Sequence, residues 1–323
     1  MSRTIAVADV GGTHARFALA EVEGGRVVSL GEPVTLKTAD HASFQIAWQE
    51  FGRVAGVDLP DALGMAFAGP VGGDVLKLTN NPWVIRPALM EARLGVTEYK
   101  IVNDFGAIAH AVAQFEPDHF SHLCGPEGAM PETGTTSVVG PGTGLGVAQL
   151  LKTADSYHVI ETEGGHVDFA PLDSLEDQVL AYLRRSFRRV SVERIVAGSG
   201  LVNLYNAISS VEGRAVQHPD DKTLWAAALD GSDALATAAL DRFFLSLGAV
   251  AGDLALAHGA NAVVIAGGLG YRLKDRFATS GFADRFIAKG RFERRMEGIP
   301  VKLVNHPQPG LYGAAAAFAK EFE

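Results

Sequence analysis

Apolar runs separated by glycine-containing turns form two similar patterns, one at the start of the chain and one in its middle. Residues 5–9 are apolar, Gly-Gly-Thr follows at 11–13, and residues 16–22 resume an extended pattern. The second pattern has apolar runs at 137–140 and 145–151 on either side of a Pro-Gly-Thr-Gly turn. Each pattern predicts a β-hairpin, and their similarity suggests two related half-cores.

The rest of the chain alternates between predicted strands and predicted helices, so we expect an α/β protein whose sheets carry helices on their faces. Phe44, Trp48 and Phe51 recur at helical spacing, which predicts an amphipathic helix. Residues 119–135 are rich in Gly, Pro and polar residues and predict a loop. Further strands are predicted at 26–36, 63–68, 75–79, 99–102, 157–161, 262–266 and 301–304. Helices are predicted at 43–55, 87–94, 105–115, 173–188, 200–209, 223–228, 233–258 and 312–322, with more helix between 267 and 297.

The predicted helix 173–188 has recognisable signals at both ends. Asp173 and Glu176 have the spacing of an N-terminal capping box. Four arginines fall towards its expected C-terminus, where positive charge suits the helix dipole. We interpret them as a solvated helix face rather than a nucleic-acid-binding patch; they are Arg184, Arg185, Arg188 and Arg189.

Charge and cysteine content narrow the functional classes. The 323 residues carry 28 Lys and Arg against 37 Asp and Glu, a formal net charge of −9. Because phosphate backbones and anionic lipid surfaces repel an acidic chain, we expect no nucleic-acid partner and no membrane partner. The length favours about two domains of roughly 150 residues. A single cysteine, Cys124, excludes an intrachain disulfide and a multi-cysteine zinc site.

Neither a secretory signal nor a membrane span is predicted. Asp9, His14 and Arg16 interrupt the apolar N-terminal pattern before a signal-peptide core can form. The most apolar stretch, 243–257, is shorter than a membrane-spanning helix and contains Asp253. We therefore expect a buried helix there and a cytoplasmic protein.

Glycine is over-represented: the chain has 37 glycines, about 11% against a usual ~7%. Three glycine-containing turns follow predicted strands, at 11–12, 142–144 and 267–268. Glycine lets backbone N–H groups converge on a phosphate, and Asp9, at the end of the first strand, suits a Mg²⁺-bound water. An ordinary hairpin or strand–helix connection explains each turn alone, whereas the three together favour phosphate binding.

The common nucleotide and nucleophile motifs are absent from the sequence. It has no G-x-x-x-x-G-K-[ST] P-loop and no G-x-G-x-x-G after a strand. Asp104-Phe-Gly matches the DFG triplet of protein kinases, but no H-R-D precedes it and there is no V-A-I-K strand. No G-x-S-x-G nucleophile elbow occurs either. These motifs give no support to a P-loop, Rossmann, protein-kinase or serine-hydrolase assignment.

Two polar groups follow predicted strands. Asn103 and Asp104 stand where a strand ends and a helix begins, a position at which an Asp can accept a proton from a hydroxyl; an N-cap role explains the position equally well. Glu163 and His166 flank a Gly-Gly loop and suit a polyhydroxylated ligand, because both accept hydrogen bonds and His also donates. A surface Glu beside a satisfied loop His is an equal alternative. Glu193 first suggests a helix-start carboxylate that suits the helix dipole.

Together these motifs resemble the bacterial glucokinases of the enteric-bacterial type. The resemblance runs from about residue 4 to about residue 318. The matching segments stand in the family's order and are Asp9-Val-Gly-Gly-Thr13, Ile101-Val-Asn-Asp-Phe105, Gly142-Thr-Gly-Leu-Gly146, Glu163-Gly-Gly-His-Val-Asp-Phe169, Glu193-Arg-Ile-Val196, Gly198-Ser-Gly-Leu-Val-Asn-Leu-Tyr205 and Ala266-Gly-Gly268.

The resemblance implies a two-domain actin/hexokinase-like (ribonuclease H-like) α/β fold with an interdomain cleft for ATP and sugar. The implied domains are a small one of residues 1–114 plus 305–323 and a large one of residues 115–304. Asp104 is then the general base, and the implied sugar ligands are Asn103, Glu163, His166 and Glu193. The implied nucleotide-binding residues are Ala8, Asp9, Gly11, Gly12, Thr13, Gly142, Thr143, Gly144, Gly267 and Gly268, with Asp9 also binding Mg²⁺ through water.

The activity implied is ATP-dependent phosphorylation of D-glucose to glucose 6-phosphate, with Mg²⁺ and ATP as cofactors and a homodimer as the assembly. His14 departs from the family's usual Asn, which bears on nucleotide affinity and its pH dependence. The single cysteine excludes the branch of repressor/open-reading-frame/kinase glucokinases that carries a zinc motif.

Three alternatives stay open: a kinase for another hexose, a non-catalytic sugar sensor, and an actin-like ATPase. The predicted phosphate hairpin begins near residue 4, which leads us to expect no N-terminal DNA-binding domain of a sensor. An ATPase gives no reason for the Asn103–Asp104 pair or for Glu163 with His166.

Overall fold

The computed structural model describes residues 2–78, 81–216 and 220–323. The chain divides into two compact units. Unit 1 comprises Met1–Glu116 with His306–Glu323, and unit 2 comprises Pro117–Asn305. The domain boundaries implied by the resemblance, at 114/115 and 304/305, stay a prediction.

Unit 1 is built on one mixed sheet. The strands of unit 1 are β1 (Arg3–Val10), β2 (His14–Glu23), β3 (Arg26–Leu30), β4 (Val34–Lys37), β5 (Ala62–Phe67), β6 (Leu76–Lys77), β7 (Val84–Ile85) and β8 (Glu98–Asn103). Of these, β6 and β7 form a separate two-stranded sheet. The helices of unit 1 are α1 (Phe44–Ala55), α2 (Met90–Leu94), α3 (Asp104–Gln114) and, from the end of the chain, α11 (Pro309–Phe322). The strand order is β3-β2-β1-β5-β8, and β4 also pairs with β2. The predicted hairpin is confirmed as the antiparallel pair β1–β2, while β5 and β8 join in parallel.

The two faces of this sheet bury different side chains. Every residue of β5 is buried, as expected of a strand covered on both faces. On one face the aromatic rings of α1 pack on Phe17, whose ring stacks on Phe51 at 5.3 Å between centroids. On the other face α11 presents a run of alanines and Phe318 that lets it lie close to the sheet. The C-terminal helix is therefore part of the unit 1 core.

Unit 2 repeats the sheet topology of unit 1. Its strands are β9 (Phe120–Cys124), β10 (Gly134–Pro141), β11 (Leu145–Lys152), β12 (Tyr157–Thr162), β13 (Ala262–Ile265) and β14 (Val301–Val304). They are ordered β12-β11-β10-β13-β14-β9. Here β10 and β11 form the second predicted hairpin, and β13 and β14 join in parallel, as β5 and β8 do in unit 1. The repeated topology confirms the expectation of two related half-cores.

The helices of unit 2 form its main hydrophobic core. They are α4 (Ser174–Leu183), α5 (Gly200–Val211), α6 (Asp221–Asp230), α7 (Ala234–Ala257), α8 (Gly267–Arg272), α9 (Phe282–Ile287) and α10 (Glu293–Glu297). Among the described residues, α7 is the one helix long and apolar enough to cross a membrane, and 61% of its most apolar window is buried. Its Phe243, Phe244 and Leu247 lie in the unit 2 core, so α7 has the character of a core helix.

Three predicted elements are wrong in their bounds. The extended segment 26–36 is two strands, because the backbone N–H of Gly31 donates to the carbonyl of Leu19 and separates the parts that pair with β2. Within the predicted loop 119–135, residues 120–124 form β9, which pairs with β14 far along the chain. Strand 75–79 is reduced to β6, and Thr79 lies outside the described residues.

The arginine-bearing helix also ends earlier than predicted. Asp173 is its N-cap as expected, but Glu176 accepts from the backbone N–H of Leu172 rather than that of Asp173. The helix stops at Leu183, whose carbonyl accepts from the backbone N–H groups of both Ser186 and Phe187. Arg184 is the C-cap, and Arg185, Arg188 and Arg189 lie beyond the helix. The four arginines therefore form no helix face.

A buried histidine in unit 1 gives the fold a testable pH dependence. His110 of α3 is 7% exposed. Burial lowers its pKa to about 4, and the positive charges of Lys100 and Lys320 add to this effect. The His110 imidazole is protonated near pH 6.5 in the unfolded chain and near pH 4 in the folded chain. Its contribution to the free energy of unfolding is therefore fully present above pH 6.5 and is lost as the pH falls from 6.5 to 4.

We therefore predict that His110 alone makes the folded protein about 2 kcal/mol less stable at pH 5 than at pH 7.5. Urea unfolding at both pH values measures this for wild type and for His110→Gln, which cannot take up the proton. The variant should show a smaller loss of unfolding free energy between the two pH values. Equal losses in both proteins would contradict the assignment.

Candidate active site

In unit 1 the predicted site residues lie along one edge of the sheet. Strand pairing aligns Val10 of β1 with Phe67 of β5, and Phe67 with Asn103 of β8. The three strands are parallel, so their carboxyl ends share this edge. Two strand spacings, about 10 Å, separate β1 from β8. The glycine turn at 11–13 and the Asn103–Asp104 pair therefore emerge from the same side of the sheet.

The turn after β1 is held by side chains from distant parts of the chain. The backbone N–H of Gly11 donates to the carbonyl of His14 at 3.0 Å. The carbonyl of Gly12 accepts from the Thr38 hydroxyl at 2.7 Å and from the Asn81 amide at 3.1 Å. Sequence reasoning missed Thr38 and Asn81, since no local pattern links them to the turn. Ala8 lies within β1 and is fully buried.

Asp9 combines burial with one cationic neighbour. Its Oδ2 lies 3.3 Å from Nη1 of Arg16. A Cβ added to Gly310 would lie 2.9 Å from the same oxygen, so the start of α11 packs against this carboxylate. Burial raises the pKa of the Asp9 carboxyl above its ordinary value, and Arg16 partly offsets the rise.

The surroundings of Asp9 bear on metal binding. No group of three or more His, Cys, Asp or Glu side chains suited to a metal occurs among residues 2–78, 81–216 and 220–323. Mg²⁺ commonly keeps several waters and binds one or two carboxylates together with substrate phosphates. A single carboxylate such as Asp9 fits that mode, and it fits no dedicated protein cage.

The sequence left open whether the Asn103–Asp104 pair caps a helix or accepts a proton, and the structure gives the capping role to Asn103. Asn103 is the N-cap of α3: its Oδ1 accepts from the backbone N–H of Phe105 at 2.9 Å and of Gly106 at 3.3 Å. Its amide nitrogen donates to the carbonyl of Gly69 at 3.4 Å. Oδ1 of Asp104 accepts from the backbone N–H of Phe105 at 3.0 Å, so this carboxylate lies at the start of α3. A carboxylate at a helix N-terminus is favoured electrostatically.

In unit 2 a second edge collects the remaining predicted residues. The carboxyl ends of β10 and β13 are adjacent, because Val139 pairs with Ile265 in parallel. The antiparallel pairing of Val147 with Thr162 brings the end of β12 beside the start of β11. The turn Gly142, Thr143 and Gly144, the loop from Glu163 to His166, and the pair Gly267 and Gly268 therefore lie on one edge.

Backbone segments on this edge approach one another too closely for larger side chains. A Cβ added to Gly165 would lie 2.1 Å from the carbonyl oxygen of Leu145. The backbone N–H of Gly198 donates to the carbonyl of Gly142 at 2.8 Å. Trp225 in turn donates its indole N–H to the carbonyl of Gly198 at 3.0 Å, a contact that sequence reasoning missed. The predicted sugar loop and the predicted phosphate turn are thus directly packed together.

Glu163 precedes the single 3₁₀ turn Gly164–His166 as its N-cap, and His166 ends that turn. Oε2 of Glu163 and Nε2 of His166 are 3.9 Å apart. The two side chains are 74% and 57% exposed, so both are accessible to a ligand. This places a hydrogen-bond acceptor next to a group that donates or accepts.

Glu193 has a role that its sequence position did not reveal. It lies on the one-turn 3₁₀ helix Val192–Arg194, so the helix-start position is confirmed. Its Oε2, however, accepts from the backbone N–H of Leu145 at 3.0 Å. A Cβ added to Gly144 would lie 2.5 Å from the same oxygen. The carboxylate is therefore packed on the glycine turn.

Comparison with known proteins gives the family. The glucokinase family model matches residues 6–321. The chain belongs to the glucokinase family. It is 59% identical over 318 residues to the glucokinase of Zymomonas mobilis subsp. mobilis, covering 98% of each chain. A glucokinase structure from an Antarctic psychrotroph is 33% identical, with a TM-score of 0.86 and 98% of each chain covered.

A more distant solved structure supports the fold alone. A ROK family glucokinase from Streptomyces griseus, solved with glucose and AMPPNP, is 21% identical with a TM-score of 0.61, covering 97% of this chain and 98% of that chain. Glucokinase membership and these structural likenesses confirm the expected two-domain hexokinase-like α/β class. The roles of the individual site residues stay predictions.

The contact between the sugar loop and the phosphate turn predicts a steric effect at Gly165. Gly165→Ala should lower the unfolding free energy by about 1–3 kcal/mol, because a methyl group cannot fit against the Leu145 carbonyl without backbone shifts. Gly268→Ala is the matched control, since nothing lies within 4 Å of its added Cβ. Denaturant unfolding of both variants measures the difference. Equal stability in the two variants would contradict the packing described for this edge.

Proposed function

We propose that this glucokinase family member transfers the γ-phosphoryl group of ATP to the 6-hydroxyl of D-glucose. The observation that carries the proposal is the unit 2 edge, where Glu163, His166 and Glu193 meet the glycine turn at 142–144. Family membership and the 59% identical relative named glucokinase support it further. A sugar-binding group packed directly on a phosphate-binding turn is what transfer between those two substrates requires.

In the proposed reaction Asp104 is the general base. Its carboxylate accepts the proton of the glucose 6-hydroxyl as that oxygen forms a bond to the γ-phosphorus. The bond from the γ-phosphorus to the bridging oxygen breaks, and ADP leaves with that oxygen. Asn103 supports the choice of Asp104, because its own Oδ1 already caps α3 with two hydrogen bonds.

Sugar recognition is assigned to four polar side chains. Glu163, His166 and Glu193 offer carboxylate and imidazole groups to sugar hydroxyls, and Asn103 offers its amide N–H groups. Neighbouring hydroxyls of a hexose both donate and accept hydrogen bonds, which suits the close pair of Glu163 and His166.

The nucleotide is assigned to the glycine-containing turns at the two sheet edges. The proposed contacts are the turn of Gly11, Gly12 and Thr13, the turn of Gly142, Thr143 and Gly144, and the pair Gly267 and Gly268, with Ala8 positioning the first turn from within β1. Asp9 would hold, through water, the Mg²⁺ that accompanies ATP. When bound there, the ion would neutralise charge on the phosphates, and phosphoryl transfer otherwise depends mostly on positioning and electrostatics.

We place the protein in the cytoplasm as a homodimer, with glucose and ATP as its small-molecule partners. The single cysteine suits a reducing compartment. The assembly is an expectation carried over from the family, and light scattering would test it against the 34.0 kDa mass of one chain.

A coupled ADP-release assay with Mg-ATP across a panel of hexoses tests the function. Glucose should give the highest kcat/KM of the panel. A higher value with another hexose would identify a kinase for that sugar. No sugar-dependent turnover would favour the sensor alternative, and turnover independent of sugar would favour an ATPase.

Replacement of Asp104 tests the proposed base. Asp104→Asn keeps a side-chain oxygen near the N–H of Phe105 but cannot accept the proton, so kcat should fall roughly 10²–10⁴-fold. Glucose binding measured by calorimetry should change little, which separates loss of chemistry from loss of fold. A kcat near the wild-type value would rule out Asp104 as the base.

A further inference from the structure

One carboxylate in unit 2, predicted to bind sugar, is packed against the predicted phosphate turn. Oε2 of Glu193 accepts from the backbone N–H of Leu145 at 3.0 Å, immediately after the glycine turn. The turn itself has no room between Gly144 and this oxygen, where an added Cβ would lie at 2.5 Å. Glu193 is partly exposed. The carboxylate thus has one oxygen committed to the turn, and no hydrogen bond among the described residues involves its second oxygen, Oε1.

The segment that carries Glu193 is held in place from two sides. The backbone N–H of Val192 donates to the carbonyl of Val167 at 2.9 Å, directly after the Glu163–His166 loop. On the other side the amide of Asn203 donates to the carbonyl of Arg194 at 2.8 Å. Because the backbone around Glu193 is held on both sides, we expect a movement of its carboxylate to displace the Leu145 N–H bonded to it.

We propose that Glu193 is a positioning residue for the phosphate-binding turn as well as a sugar ligand. Its Oε2 fixes the Leu145 N–H and so the conformation of residues 142–145, while Oε1 binds a sugar hydroxyl. The inference rests on the proposed function and deepens it: the same side chain that senses glucose orders the turn that receives the nucleotide.

A shared carboxylate makes binding of the two substrates interdependent. A sugar hydroxyl that donates to Oε1 restrains the carboxylate, which leaves less conformational freedom to be lost when the turn binds phosphate. Thermodynamic reciprocity then requires nucleotide to raise glucose affinity by the same factor. A carboxylate that binds sugar alone gives no such reason for coupling.

The decisive readout is nucleotide affinity in the absence of sugar, which a residue that binds only sugar cannot change. Mg-AMPPNP binding is measured by calorimetry for wild type, Glu193→Ala and Glu193→Gln. Glu193→Ala removes the acceptor of the Leu145 N–H and should weaken nucleotide binding about tenfold or more. Glu193→Gln keeps an amide oxygen for that N–H and should stay within about threefold of wild type, since a neutral acceptor retains the hydrogen bond.

Glucose kinetics supply the second half of the test. Both variants should raise the KM for glucose, because neither offers a carboxylate oxygen to the sugar hydroxyl. Arg194→Ala is the matched control: Arg194 shares the 3₁₀ turn, but its guanidinium lies over the ring of Phe187 at 4.3 Å. That variant should leave sugar-free nucleotide affinity unchanged.

Several results would overturn the proposal. Unchanged sugar-free nucleotide affinity in Glu193→Ala would make the residue a sugar ligand only. An unchanged glucose KM in Glu193→Gln would make it a structural brace only. If Glu193→Ala does not fold, Glu193→Asp replaces it, because its shorter side chain cannot reach Leu145 and should show the same loss. Failure of the wild-type protein to phosphorylate any hexose would instead refute the proposed function.

Discussion

Parallel pairing beside a hairpin sets where the glycine turns and the Asn103–Asp104 pair of this protein lie. In each unit a strand adds in parallel to the first strand of a hairpin, and a second strand adds in parallel to that one. Parallel strands present their carboxyl ends at one edge, so whatever follows them is gathered there. Asp9 and Asn103 reach one such edge across β5, and Gly142 and Gly267 reach the other.

Close packing at the unit 2 sheet edge explains part of the glycine excess. Many of the 37 glycines serve ordinary turns, but Gly144 and Gly165 are required by contact: carboxylate and carbonyl oxygens occupy the space of their missing side chains. These contacts, with the hydrogen bond from the Gly142 N–H to the Gly144 carbonyl at 2.8 Å, hold the turn rigidly. Rigidity of this kind is what electrostatic stabilisation of a transferring phosphoryl group needs, because donors that are already oriented do not reorganise during the reaction.

The sequence predicted both hairpins, most helices and the family, because these depend on local periodicity, on turn residues and on motifs such as Glu163-Gly-Gly-His166. It did not predict β9, whose pairing partner β14 lies far along the chain. It placed the end of α4 too late, since the Leu183 carbonyl is capped by a local turn with no glycine to signal it. The bonds that Thr38 and Asn81 donate to the Gly12 carbonyl, and the bond that the Leu145 N–H donates to Glu193, were not predicted either, because they join distant segments of the chain. Long-range contacts that support a site leave no periodic pattern in the sequence.

Glucokinase membership and the two sheet edges converge on a single chemical claim, the transfer of the γ-phosphoryl group of ATP to the 6-hydroxyl of glucose. The most direct test is phosphorus NMR of the products formed from Mg-ATP and glucose. The account predicts a sugar phosphate whose phosphorus couples to the protons on carbon 6, in amounts equal to the ADP released. Inorganic phosphate as the only new product, or a phosphate ester at another carbon, would contradict it.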